Sequence, residues 1–181
     1  MTTQAVSPEL QFPIGKFTMP AGPLSGAERK QAIATIAELP VRVRAAVAGL
    51  TSEQLDTTYR PGGWTVRQVV HHLADSHMNA FVRFKLALTE DDPTVKPYAE
   101  AAWAETVDAK TNAIDPSLHI IDGMHERLAV LLENMTAEDF ARTFRHPERG
   151  VMTLDTTVVM YAWHCKHHVA HITGLRQRMG W

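Results

Sequence analysis

The chain has 181 residues, 45% of them hydrophobic and 21% charged, with 18 Lys+Arg against 20 Asp+Glu and a formal net charge of −2. That length favours one domain with a self-sufficient core, and the composition rules out wholesale disorder. The charge balance argues against a nucleic-acid binder, which relies on a basic surface. Cys165 is the single cysteine, so no intramolecular disulfide forms. The opening MTTQAVSPEL lacks the charged and apolar regions of a signal peptide, and no apolar run of about 18 residues is present. The expectation is a soluble, reduced, cytoplasmic protein with neither membrane nor nucleic acid as partner.

Residues 1–27 carry Pro8, Pro13, Pro20 and Pro23 with Gly15, Gly22 and Gly26, a spacing of breakers that predicts an extended arm and no helix. From Glu28 to Ala48, Ile33, Ile36, Ala37, Leu39, Val43 and Val47 recur at helical spacing, with a kink or break expected at Pro40. Thr51-Ser-Glu-Gln54 reads as a capping box. After Pro61-Gly62-Gly63 a strong second helix begins, its apolar face marked by Val66, Val69, Val70, Leu73, Ala80, Phe81, Phe84 and Leu88, and Asp91-Asp92-Pro93 ends it. A long connection follows, with a short helix expected around Ala99 to Val107. Asp115-Pro116 reads as N-cap and N1 of a third helix carrying Leu118, Ile121, Leu128, Leu131 and Leu132. Arg145 to Met152 suits a small hairpin. A fourth helix is predicted from about Thr153 to Arg178.

Four long helices with few strands predict an all-α four-helix bundle over 28–181, preceded by the 1–27 arm, with a long connection between helices 2 and 3. An internal repeat supports two helix pairs. Leu50-Thr51-x-Glu53-x-Leu55-x-x-x-Tyr59-Arg60 and then Gly63-Trp64-Thr65-Val66 parallels Met135-Thr136-x-Glu138-x-Phe140-x-x-x-Phe144-Arg145 and then Gly150-x-Met152-Thr153-Leu154. Each copy leads into a histidine-bearing helix.

The 10 histidines are clustered. His164 and His168 lie one turn apart on a helix face shared with Met160, Tyr161, Ile172 and Leu175. Burying several imidazoles among apolar residues is costly unless each finds a partner, and a metal ion is one. The pair has the HxxxH spacing of zinc proteases, but Cys165 stands where that signature has its Glu base, so that assignment fails. Catalytic zinc takes three protein ligands, and the third is expected from the second helix. There His71 points nearly opposite Leu73, toward solvent, while His72 borders the apolar face in a polar stripe with Thr65, Ser76 and Asn79. His72 therefore ranks above His71, with His77 a weaker competitor. His77, His119, His125 and His146 read as satisfied interior histidines. His167 and His171 read as packing or supporting residues, Cys165 as a packed thiol, and Trp64, Trp103, Trp163 and Trp181 as core or interface anchors.

The segments Trp64-Thr-Val-Arg-Gln-Val-Val-His-His-Leu-Ala-Asp-Ser-His-Met-Asn79 and Tyr161-Ala-Trp-His-Cys-Lys-His-His-Val-Ala-His-Ile172 resemble the two signature segments of the YfiT family, a branch of the DinB superfamily classed as metal-dependent hydrolases. Phe12-Pro13-Ile14-Gly15, the run from Ser76 to Thr89 and the closing Arg178-Met-Gly-Trp181 extend the likeness over nearly the whole chain. The resemblance implies a four-helix bundle, a homodimer, and one divalent metal, commonly zinc, on His72, His164 and His168. Imidazole ligation alone also suits nickel and other ions.

Three chemistries remain open on such a site. A hydrolase would use the ion to activate water against a small-molecule substrate. Its base is unassigned: Asp75 comes nearest but sits about 60° round the helix from His72, on the solvent side, leaving the metal hydroxide itself, Tyr161 or Ser76. A thiol S-transferase, as in other branches of the superfamily, would hold a low-molecular-weight thiolate on the metal and need no carboxylate. A non-catalytic metal-binding stress protein would close the ion with a fourth ligand such as His77 or His171. Ser76, Asn79, Tyr161, His167 and His171 are the expected pocket or supporting residues.

Overall fold

The computed structural model of the protein describes residues 8–181; the first seven residues of the expected arm, and with them most of the opening segment read for a leader, lie outside the described residues. Four helical rods make the bundle. The first is broken: α1 (Pro8–Gln11) is a single turn, and α2 (Gly26–Ala37) gives way at Glu38 to α3 (Leu39–Val47). Pro40 sits in the first turn of α3, where its missing N–H costs nothing. After the turn α4 (Ser52–Leu55) comes the second rod, α5 (Val66–Thr89). The connection carries α6 (Glu100–Trp103) and α7 (Val107–Thr111), two short helices where one was expected. The third rod is α8 (Asp115–Glu133), and α9 (Ala137–Ala141) and the hairpin β1 (Thr143–His146) and β2 (Gly150–Thr153) lead into the fourth, α10 (Leu154–Met179). Helix α10 packs on α2, α3 and α5, and α5 packs on α8. Ile36, Leu39, Leu73, Phe84, Ile121, Leu128, Leu154 and Ile172 have no exposed surface, each contributing roughly 2 kcal/mol by burial. No helix among the described residues is long and apolar enough to cross a membrane.

The sequence repeat is a structural repeat. Thr51 and Thr136 each close a capping box over a one-turn helix. Each turn then enters an antiparallel pairing: a single Thr58–Thr65 bridge in the first copy, and four register pairs from Thr143–Thr153 to His146–Gly150 in the second. Thr65 and Thr153 then cap α5 and α10 through their side-chain oxygens. Both histidine helices are thus launched by the same device.

Three expectations are corrected. The arm is not simply extended: Pro8–Gln11 forms α1, and α2 starts at Gly26 because Ser25, not a later residue, supplies the N-cap. The N-cap of α8 is Ile114, with Asp115 inside the first turn, where its charge favours the helix dipole. The third correction concerns α5, which has no solvent face along its first half. The connection folds down on it, held by Gln68 Nε2 donating to Ala104 O at 2.7 Å and Arg67 Nη1 donating to Asn112 O at 2.8 Å. Its other end is pinned to the hairpin by Val95 N–H donating to Arg145 O at 3.0 Å. His71 is accordingly buried, its Nδ1 2.7 Å from Ser117 Oγ and its Nε2 3.4 Å from Asn112 O.

Candidate metal centre

Helices α5 and α10 cross so that His72 of one faces His164 and His168 of the other. A ligand nitrogen from each of the three lies within 4.8 Å of the other two. The Nε2 atoms of His72 and His164 are 3.2 Å apart; two imidazoles on a tetrahedral ion at about 2.0–2.1 Å would stand about 3.3 Å apart. His72 and His168 are buried and His164 is half-buried. Burial holds His72 down at about 4 and pushes His164 and His168 well below the ordinary histidine range, with the neighbouring imidazoles adding to the effect. All three are therefore neutral at pH 7, the form that offers a lone pair. His168 Nδ1 is buried without a hydrogen-bond partner. A transition-metal ion fits this donor set: neutral, mutually facing nitrogens with no acid or hydroxyl bonded to them among the described residues. Zinc is one such ion among several.

The surroundings steer these rings. His77 Nε2 lies 3.0 Å from His164 Nδ1. If Nε2 of His164 is to offer its lone pair to a metal, Nδ1 must carry the proton and donate it to His77. His77 is therefore not a solitary core residue, but the group placed to fix the tautomer of His164. Trp64 packs over His72, with ring centroids 4.7 Å apart, and stacks beside His168 at 6.5 Å. His167 and His171 stand one turn apart beside the centre. His167 stacks on Trp163 at 4.3 Å, and His171 on Tyr59 at 3.9 Å. The chain before α2 lies across this region, with His171 Nε2 donating to Gln11 O at 3.2 Å and Trp163 Nε1 to Gly15 O at 3.2 Å.

Two cavities meet at the histidines. One, of about 490 Å³, is lined by all three of them together with Tyr59, Trp64 and Trp163. The second, of about 340 Å³, is lined by His164, Ser76, Tyr98, Tyr161, Arg83 and His146, among others. Glu100, Arg149, Trp163 and His164 line both. Ser76 and Tyr161 line the second cavity but not the first, with Tyr161 Oη donating to Ser76 O at 3.2 Å. Asn79 does not: it lines neither cavity and turns back on its own helix, Nδ2 donating to Asp75 O at 2.8 Å. His119 is exposed, whereas His125 is buried and bonds Ile36 O through Nδ1 at 2.8 Å. Cys165 is a buried thiol held protonated by its surroundings. Glu100, Arg149 and Arg83 were absent from the sequence reading. Two of them come from a connection and a hairpin turn, whose placement no helix periodicity encodes; Arg83, on α5, carries its signal in being a charged residue about 100° round the helix from Phe84, at the border of the apolar stripe.

The sequence profile of the DinB superfamily matches residues 35–172. A Geobacillus kaustophilus protein provisionally named a metal-dependent hydrolase is 54% identical over 174 residues, 95% of this chain and 97% of its own. YfiT of Bacillus subtilis, under the same provisional name, is 47% identical over 176 residues, 97% of this chain and 98% of its own. A solved structure of B. subtilis YfiT, described as a probable metal-dependent hydrolase with an unusual four-helix bundle topology, superposes with a TM-score of 0.92 at 46% identity, covering 96% of this chain and 99% of that one.

Proposed function

This chain belongs to the DinB superfamily, and on that footing we propose that it is a metal-dependent hydrolase whose divalent ion is held by His72, His164 and His168. The observation that supports this most is that the three converge beside a cavity; His167 and His171 form a second such group with His168, but neither joins the first group as a fourth ligand among the described residues. A structural zinc is closed by four protein ligands, whereas a catalytic one keeps a position open, here toward the cavity. When bound, the ion supplies Lewis acidity, polarising the scissile group and lowering the pKa of a water toward about 7. The chain does the rest. His77 holds the proton of His164 at Nδ1, so that Nε2 faces the centre. Trp64 and Trp163 wall the cavity and exclude water from its apolar side. Glu100 is the carboxylate lining that cavity, and it is the group we assign to accept a proton during the reaction. The reading includes zinc as the ion, a small-molecule substrate and pairing of two copies, the last testable by sedimentation.

A second reading, thiol S-transfer, is favoured by one observation: Glu100 is exposed, and no carboxylate bonds to the three histidines among the described residues. A metal-held thiolate needs no such base. The deciding experiment is elemental analysis of untagged wild-type protein beside His72→Ala and His164→Ala, followed by a screen of esters and amides against thiol-plus-electrophile pairs. One metal per chain, lost in both variants, with ester or amide cleavage supports the hydrolase. Turnover only with a thiol present favours the second reading. Absence of stoichiometric metal, or its retention in both variants, overturns both.

A further inference from the structure

Arg83 is 8% exposed, yet among the described residues it makes no ion pair and only one long hydrogen bond, Nη1 to Tyr161 Oη at 3.5 Å. The undescribed residues 1–7, MTTQAVS, contain no acid. Arg67, four turns earlier on the same helix and equally buried, shows the usual provision for such a group: Asp56 at 2.6 Å, Asn112 O at 2.8 Å and Ser52 Oγ at 3.1 Å. A largely buried guanidinium without a counterion is costly to keep, and here its unpartnered nitrogens are left open to the cavity. Arg83 lines the second cavity, and Tyr98, whose hydroxyl is buried without a partner, lines it too. The wall nearest the candidate metal centre is His164.

Resting on the hydrolase reading, we propose that Arg83, with the Tyr98 hydroxyl, binds a carboxylate of the substrate, so that the reacting bond is presented at His164 and its partners. The fork of a guanidinium matches the two oxygens of a carboxylate, and a phenol adds a third donor. The charges around the cavity favour a monoanion over a phosphate dianion. Arg149 adds one positive charge at the rim, whereas Glu100 and Glu148 add two negative ones. His146 contributes none: it is buried, its Nδ1 accepts the Glu148 N–H at 3.3 Å, and burial together with Arg83 and Arg149 disfavours its protonation. The substrate class is therefore a monocarboxylic acid bearing a hydrolysable group a few bonds from the carboxylate.

The test is binding of phenylacetate and its neutral analogue phenylacetamide to the full chain, by titration calorimetry or tryptophan fluorescence, with and without one equivalent of zinc. The expected result is that the acid binds about tenfold or more tighter than the amide, and that Arg83→Gln removes this preference. Arg83→Lys should restore part of it, since it keeps the charge without the fork. Should Arg83→Gln fail to fold, judged by circular dichroism, Tyr98→Phe and the acid–amide contrast in wild type decide. Equal affinity for acid and amide, absence of saturable acid binding, or an unchanged preference in Arg83→Gln overturns the proposal. So does a preference that appears only with zinc and vanishes in His164→Ala, which would place the carboxylate on the metal. Because the arm without zinc needs no ion, its outcome is separate from that of the metal analysis.

Discussion

At the scale of single residues, the tautomer of His164 links packing to chemistry. His164 Nε2 faces His72 at 3.2 Å while Nδ1 faces His77 at 3.0 Å. A proton on Nδ1 leaves His77 Nε2 as acceptor and puts the proton of His77 on its own Nδ1, which is buried and unpartnered. The fold tolerates that orphan, and a metal on His164 would be what offsets its cost. His77→Phe keeps the ring contacts with His125 and Tyr161 but removes the acceptor, and should weaken zinc binding about 10- to 100-fold in a chelator competition; His77→Gln, which can still accept, should recover part of the loss. Equal affinity in all three proteins would reduce His77 to packing. Glu100 carries a different prediction. If it accepts a proton in hydrolysis, Glu100→Gln lowers kcat about 100-fold or more with metal content unchanged. A thiol-dependent reaction that needs no base would be untouched by that substitution, so kcat alone distinguishes the two readings.

Among the elements, the union of α2 and α10 depends on an ion pair between a half-buried arginine and a buried carboxylate. Asp155, in the first turn of α10, accepts from Arg29 Nε at 2.7 Å, Arg29 Nη2 at 2.8 Å and the Leu24 N–H at 3.1 Å. Removing the cation strands a carboxylate that is almost wholly buried, so Arg29→Met should cost about 3–5 kcal/mol in urea unfolding. Arg29→Met combined with Asp155→Asn should recover much of it, because the charge then goes too. These elements also show what sequence could and could not foretell. The four rods were legible because each carries apolar residues at helical spacing, whereas their exact starts were not: Ser25 caps α2 before the first apolar residue, and α8 starts from Ile114 with no side-chain cap. His164 and His168 were legible because four-residue spacing fixes their shared face whatever packs there. His71 was misplaced because periodicity assumes one apolar face, and the connection carrying α6 and α7 covers the other through Gln68 and Arg67. Glu100 enters the site on that same connection, at a position set by tertiary bonds rather than by any local pattern.

The whole molecule concentrates its histidines in the interior, and this gives its stability a pH signature. Burial is the largest cause holding His72, His125, His167 and His171 each at about 4, and it pushes His77, His164 and His168 well below their ordinary range. In the unfolded chain these groups take up protons near 6.5. Between about pH 6.5 and 4 the unfolded state therefore binds more protons than the folded one, and stability falls as pH falls through that window. Above it the neutral histidines cost nothing and stability is at its full value. Chelator-treated protein should show a Tm that is flat above pH 7 and declines steadily below 6.5, with a proton uptake on unfolding of more than two. A chelator is needed because release of any metal held by His72, His164 and His168 would add its own acid dependence in the same range. His125 separates the two contributions, since it lies outside the ligand set and is tied only to Ile36 O. His125→Asn keeps a donor for that carbonyl while removing the titration, so it should lower the uptake by up to one proton and leave zinc stoichiometry intact. A Tm that does not change from pH 7 to 4.5 would show that the interior admits protons as readily as the unfolded chain does, and burial would then not be what keeps the cluster neutral.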